Sequence, residues 1–431
     1  LMTLLAFLFF ATTTVIEHVT VIDTVTGALR SDVNVVMRDG RIASVERTAA
    51  PKDARRVDGR GRFLIPGLWD MHVHLSAATE TALPLLLANG VTGVRDMGGK
   101  LRELDEWRVK IEAGVLAGPR IVRVGPTLNG QQFNALQMVP GTPEETRGVV
   151  RALKAAGVDF IKVHRRVPRD VYFALIDEAN KQSIRVVGHI PIAITPEEAS
   201  DAGQLTIEHT ETLFEGTFAA ALKKDASVAG AIGDFRANAA DGLFARFVKN
   251  GNAVTPTLVE YRSLLESADP SYPPDPRRRY LPASLRDAAT KRSLSGAQIA
   301  EAREAFEELK KVVGQMSRAG VVLLAGSDIA NVRIPGFDLH DELALLVESG
   351  LTPLQAVQAA TLNPAHVMKK DADFGSVEVG KIADLLLLDA NPLADIHATT
   401  RIFAVVFNGR VFPRAALKAL LKGAEELAAK R

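Results

Sequence analysis

No cysteine occurs among the 431 residues. Its absence excludes disulfides, thiolate nucleophiles and Cys-ligated zinc, leaving His, Asp, Glu and modified Lys as possible metal ligands. A surplus of charge is missing as well. Lys and Arg number 52 against 51 Asp and Glu, a net charge of +1, so nothing draws the chain generally toward nucleic acid. A small-molecule substrate suits that balance, and no nucleic-acid partner is expected. Nor is a membrane span expected: the apolar stretch "LMTLLAFLFFATTT" at the start is too short to cross a bilayer as a helix and lacks the basic opening of a signal peptide. Residues 1–14 are read as an apolar N-terminal segment, a clipped signal remnant, a cloning scar or a helix packed on a neighbouring chain. Localisation stays open between cytoplasmic and exported.

What is present is an ordinary globular composition, 47% hydrophobic and 24% charged, with enough apolar residues for a large core. Residues 15–65 hold short β-type runs, "VIEHVTVID", "DVNVVMRDG" and "RIASVER", separated by turn residues such as Asp39-Gly40. A matching block at 369–413 contains "GSVEVGKIADLLLLDA" and "TRIFAVVFNGRVF", with Asn408-Gly409 as a hairpin turn. These blocks are expected to form one small β-sandwich from both chain ends. Between them, 66–368 alternates helix-like segments with eight strand candidates: "LWDMHVHL", "GVTGVRDM", "RIVRVGP", "VDFIKVH", "IRVVGHI", "LTIEHT", "NAVTPTL" and "VVLLAGSD". This is the pattern of an α/β (β/α)8 TIM barrel, whose active site lies at the C-terminal strand ends. Residues from about 260 to 310 form an insertion before the last strand, expected as a lid or rim. The stretch 414–431 has helical apolar spacing and is expected to dock on the body or on another subunit, in a homo-oligomer.

Only nine histidines occur, yet His72 and His74 stand one residue apart at the end of the first strand. Alternate strand residues share a side, so both rings can face one point. Lys162 ends the fourth strand, His189 the fifth, His209 the sixth and Asp328 the eighth. These residue types can bind two divalent metals. A lysine suits such a place if its neutral amine, favoured by burial, takes up carbon dioxide to give a carbamate; otherwise Lys162 is an ion-pair partner.

With "LIPGLWDMHVHL", "FIKV", "VVGHIP", "TIEHT", "LLAGSD", "LHDELALLVESGLTPLQAVQAATLNPA" and "GSVEVGKIADLLLLDANPL" in this order, the chain resembles the metal-dependent amidohydrolase superfamily. Within it, the chain is similar to the imidazolonepropionase-like and Xaa-Pro or Xaa-basic dipeptidase branch. The resemblance implies a binuclear centre, with zinc as the default metal: His72, His74, carboxylated Lys162 and Asp328 around the more buried ion, and His189, His209 and the same carbamate around the other. It further implies a metal-bridging hydroxide as nucleophile, Asp328 as general acid/base, and carbon dioxide or bicarbonate for the carboxylation of Lys162.

His164 shares the strand face of Lys162 and is expected to support a ligand or touch substrate, and Tyr261 to meet the substrate carbonyl or to pack under the insertion. His340 is expected to be structural, and His18, His366 and His397 have no assigned role. Arg277, Arg278 and Arg279 form a solvated face or read a substrate carboxylate. The expected activity is hydrolysis of an amide bond in a dipeptide or N-acyl amino acid. The alternative is a cyclic amide, carbamate or ester at the same centre. A non-catalytic barrel would predict an eroded ligand set, whereas all six positions carry suitable side chains.

Overall fold

Eight short apolar runs set the frame, in a computed structural model that describes residues 13–49, 51–214, 227–283, 285–286, 294–330 and 333–430. All but the last two residues of the apolar N-terminal segment lie outside these. The runs form β1 (Leu68–Val73), β2 (Val91–Asp96), β3 (Arg120–Arg123), β4 (Phe160–Val163), β5 (Arg185–Gly188), β6 (Thr206–Glu208), β7 (Ala253–Thr255) and β8 (Val322–Leu323). β1, β2 and β3 pair in parallel as one sheet. The pairs Gln137–Met138 and Thr127–Leu128 then join β4 to β8 in a second parallel sheet of seven strands. Hydrogen bonds cross both seams. Met71 N donates to Ala325 O at 2.9 Å, Asp328 N to His72 O at 2.7 Å, and Asp159 N to Arg123 O at 2.9 Å.

Helices fill the crossovers because the sequence marks their ends. Thr142 with Glu145, and Thr195 with Glu198, close reciprocal capping boxes, each followed by a proline at the first turn. The architecture is α/β, TIM-barrel-like, with an additional domain. Among the described residues no helix is long and apolar enough to cross a membrane.

The additional domain draws on both chain ends. Strands Thr14–Ile22, Leu29–Arg38, Arg41–Glu46, Arg55–Asp58 and Phe63–Pro66 join Leu385–Leu388, Ile402–Phe407 and Arg410–Pro413 in a single eight-stranded sheet. Phe63–Pro66 pairs antiparallel with Leu385–Leu388, so the expected sandwich is, in its hydrogen bonding, one continuous sheet. Both hairpin turns, Asp39-Gly40 and Asn408-Gly409, have two residues in the left-handed region, as a two-residue hairpin requires. Period-two alternation then divides the side chains. Leu385, Leu387 and Leu64 face the sheet's own core, whereas Leu386, Leu388 and Ile65 enter the main core with Leu86, Leu87 and Val91.

The C-terminal helix Arg414–Ala428 packs against the helix Ala82–Ala88. The described part of the insertion is clamped rather than free. Tyr280 stacks on Phe337 at 5.3 Å, and Arg277 bonds to both Asp275 and Asp341 at 2.6 and 2.7 Å. Arg278 donates to Ser267 Oγ, and Arg279 to Pro276 O and the Tyr280 hydroxyl. Arg277 is therefore held to the body by Asp275 and Asp341, whereas Arg279 stays exposed to solvent with hydrogen bonds inside its own turn.

Candidate metal centre

The C-terminal ends of β1, β4, β5, β6 and β8 bring His72, His74, Lys162, His189, His209 and Asp328 into one cluster. Lys162 Nζ lies 3.3 Å from His72 Nε2. Asp328 Oδ1 lies 3.5 Å from His72 Nε2 and 3.3 Å from His74 Nε2. The His209 ring is 4.6 Å from both the His72 and the His189 rings. His209 and Asp328 both take positive φ, a backbone cost that aims their side chains inward from the strand ends. One ligand atom each from His72, His209 and Asp328 lie within 4.8 Å of one another, a grouping able to hold a metal ion.

His164 also reaches this end, its ring 4.2 Å from His189, with a buried Nδ1 that has no hydrogen-bond partner among the described residues. Tyr261 sits on the helix Leu258–Ala268 beyond β7; its buried hydroxyl likewise has no such partner. His340 is structural, bonded to Thr399 and Asn89 O.

Several supporting residues went unread in the sequence. His72 Nδ1 meets Glu208 Oε2 at 3.0 Å, and Glu208 Oε1 accepts from Arg95 Nη2 at 2.7 Å, all three side chains fully buried. Arg95 also donates to Met71 O and Thr206 Oγ1. His209 Nδ1 meets Thr257 Oγ1 at 2.7 Å and Glu260 Oε2 at 3.1 Å. Asp70 takes the amides of His72 and Ser327 at 3.2 and 3.0 Å, tying β1 to the β8 end. Such outward bonds at Nδ1 orient a ring and leave Nε2 for the centre. Asp70, Arg95 and Glu208 did leave a signal: each is a charge inside an apolar strand run, where it must be buried and paired.

Burial sets the protonation states. It pushes His72 and His189 well below the ordinary imidazole range and Lys162 down to about 8, although Glu208 and Asp328 oppose the latter. Burial alone would raise Asp328, but Arg333 and His74 hold it well below the usual carboxylate range. His72 and His189 are thus neutral, Asp328 is ionised and Lys162 loses its proton near neutrality, as donors to a divalent cation must. His189 Nδ1, buried and without a hydrogen-bond partner among the described residues, adds to that fit. His209 goes the other way: burial would lower it, but its bond to Glu260 and the nearby Glu211 outweigh burial and raise it to about 9, so a cation there would displace its proton.

Fold and site together define a hydrolase of the TIM-barrel type with a candidate metal centre at the strand ends. The amidohydrolase family model matches residues 63–412, and the chain belongs to that family, whose members generally use divalent metals and act as hydrolases on carbon–nitrogen bonds. It is 26% identical over 411 residues to the imidazolonepropionase of Mycolicibacterium smegmatis, covering 89% of this chain and 92% of that one. Its fold matches a Bifidobacterium longum protein, proposed to be a prolidase, with a TM-score of 0.71 and 27% identity, covering 96% and 99% of the two chains. A stronger but local likeness, 57% over 42 residues, joins it to the dihydroorotase of Anaeromyxobacter sp. (strain K); it spans only 10% of that relative's length.

Proposed function

We propose that the protein hydrolyses an amide bond in a small substrate, a dipeptide or an N-acyl amino acid, at a binuclear metal centre. The observation that carries this reading is the convergence of His72, His209 and Asp328 within 4.8 Å, with Lys162 beside His72. We read the two parallel sheets as one closed (β/α)8 barrel, the hydrogen bonds across both seams supporting it. His72, His74, Lys162 and Asp328 would hold one divalent ion, and His189, His209 and Lys162 the other, with Lys162 carboxylated by carbon dioxide and zinc the default metal. When bound, such ions supply Lewis acidity that lowers the pKa of water and polarises the scissile carbonyl.

The chain's own groups manage the proton. Asp328 accepts it from the attacking water and returns it to the leaving nitrogen as the C–O bond forms and the C–N bond breaks. His164 and Tyr261, with their unpartnered polar atoms, are offered as substrate contacts. The full-length likeness to an imidazolonepropionase favours one second reading, a cyclic amide, carbamate or ester at the same centre.

The test is amine release by zinc- and bicarbonate-reconstituted protein from dipeptides, N-acyl amino acids and cyclic amides, with Asp328→Asn as control. Selective release from linear substrates, lost in the control, is the expected result. Release from cyclic amides alone would replace the first reading by the second. No release from any of them, with two metals bound, would overturn amide hydrolysis.

A further inference from the structure

Arg333 follows Asp328 by five positions in the loop after β8, and its side chain is 5% exposed. Its Nη2 donates to Asp328 Oδ2 at 2.7 Å and its Nε to the Asp328 carbonyl, while Nη1 stands 3.5 Å from Glu260 Oε1. Among the described residues these hydrogen bonds engage two of the five N–H donors of a guanidinium. Neither carboxylate belongs to Arg333 alone. Asp328 Oδ1 faces His72 and His74, and Glu260 Oε2 faces His209.

The guanidiniums of Arg95 and Arg277 are committed elsewhere. Arg95 is locked by Met71, Thr206 and Glu208, and Arg277 by Asp275 and Asp341. Arg333 is thus a buried cation that shares its counter-ions with the candidate centre. Removing such a charge from water is costly unless anions match it, and the planar fork of arginine matches a carboxylate best.

We propose that Arg333 pairs with a free carboxylate of the substrate, and that the leaving amine is therefore that of an α-amino acid. The inference rests on the amide-hydrolase reading, in which Asp328 returns the proton to the leaving nitrogen. A nitrogen receiving that proton lies within hydrogen-bond reach of the Asp328 carboxylate, which Arg333 also touches. Nitrogen and substrate carboxylate must then be joined by a short link. The N–Cα and Cα–C bonds of an α-amino acid hold its nitrogen about 2.5 Å from the carboxylate carbon, whereas a carboxylate at the end of a long side chain overshoots. Dipeptides and N-acyl amino acids with a free C-terminus meet this condition; C-terminal amides and internal peptide bonds do not.

The experiment compares metal-loaded wild type, Arg333→Met and Arg333→Lys on dipeptides and acetylated amino acids, each as free acid and as C-terminal amide. Wild type should prefer the acid, and Arg333→Met should lose at least about 30-fold more kcat/KM on the acid than on the amide. Arg333→Lys should keep part of the preference, retaining the charge without the fork. Equal losses on acid and amide would mean that Arg333 only orients Asp328, and would overturn the proposal. So would a wild type indifferent to amidation. If wild type cleaves neither form, amide hydrolysis falls on its own, and calorimetric titration with free amino acids decides the pairing. Binding weakened about 30-fold in Arg333→Met would support it, whereas unchanged or undetectable binding to wild type would overturn it.

Discussion

Replacing Glu208 by Gln asks how one buried carboxylate serves both Arg95 and His72. Burial would raise its pKa, yet Arg95 and His72 hold it well below the usual range. Glu208→Gln leaves the Arg95 charge uncompensated, so denaturant unfolding should show a loss of about 3–5 kcal/mol. The same change frees the His72 ring, and chelator competition should show zinc affinity lowered roughly 10- to 100-fold. Unchanged stability and affinity would make the ion pair a bystander. Glu342 has the opposite sign. Burial pushes it up to about 8 from 4.5, against the Val259 N–H that it accepts at 2.7 Å. An acid whose folded-state pKa is raised contributes stability that is full below the unfolded value of 4.5 and is lost as pH climbs through about 8. Denaturation midpoints should therefore fall from about pH 5 to about pH 9, and Glu342→Gln, which keeps an acceptor for Val259, should flatten that fall. The same slope in the variant would assign it to other groups.

Gly188 closes β5 immediately before His189, with φ of 128° and space for a Cβ only 2.1 Å from Val163 O. Alanine there must push β5 away from β4. Gly188→Ala should lower stability by about 1–3 kcal/mol and, by moving His189, lower the metal retained after dialysis. Metal retention equal to wild type would count against His189 as a ligand. The strands were legible because each observed parallel strand from β1 to β8 lies inside a short apolar run bounded by turn residues. Thr127–Leu128 and Gln137–Met138 were not, since two residues carry no period. The His72 and His74 pair was readable from strand alternation, and Lys162, His189, His209 and Asp328 from their places at strand ends. Partners were harder. Arg95 and Glu208 meet across 113 positions, a contact that neither run encodes by itself. Arg333 lies in a loop without periodicity, where nothing local indicates which way a side chain turns.

The join between the terminal sheet and the barrel-like body decides whether the two unfold together. Only Gly67 separates the strand Phe63–Pro66 from β1, and its N–H donates to Asp384 O at 2.9 Å. Arg120 at the start of β3 pairs with Asp384 at 2.6 Å, and Leu386 reaches from the terminal sheet into the main core. A cut between the bodies would therefore expose apolar faces on both. Such shared burial predicts a single cooperative transition. Trp107, in the helix Leu101–Glu112, reports on the barrel-like body, whereas Trp69 in β1 meets the Phe374 ring at 5.3 Å and so also senses the C-terminal block, and far-ultraviolet circular dichroism sees the terminal sheet as well. Leu386→Ala removes a fully buried side chain from the join and should cost about 2–5 kcal/mol. The fluorescence and dichroism curves should move together by that amount. If the dichroism curve splits while tryptophan fluorescence stays at the wild-type midpoint, the terminal sheet unfolds by itself and the barrel needs no support from the chain's C-terminal strands.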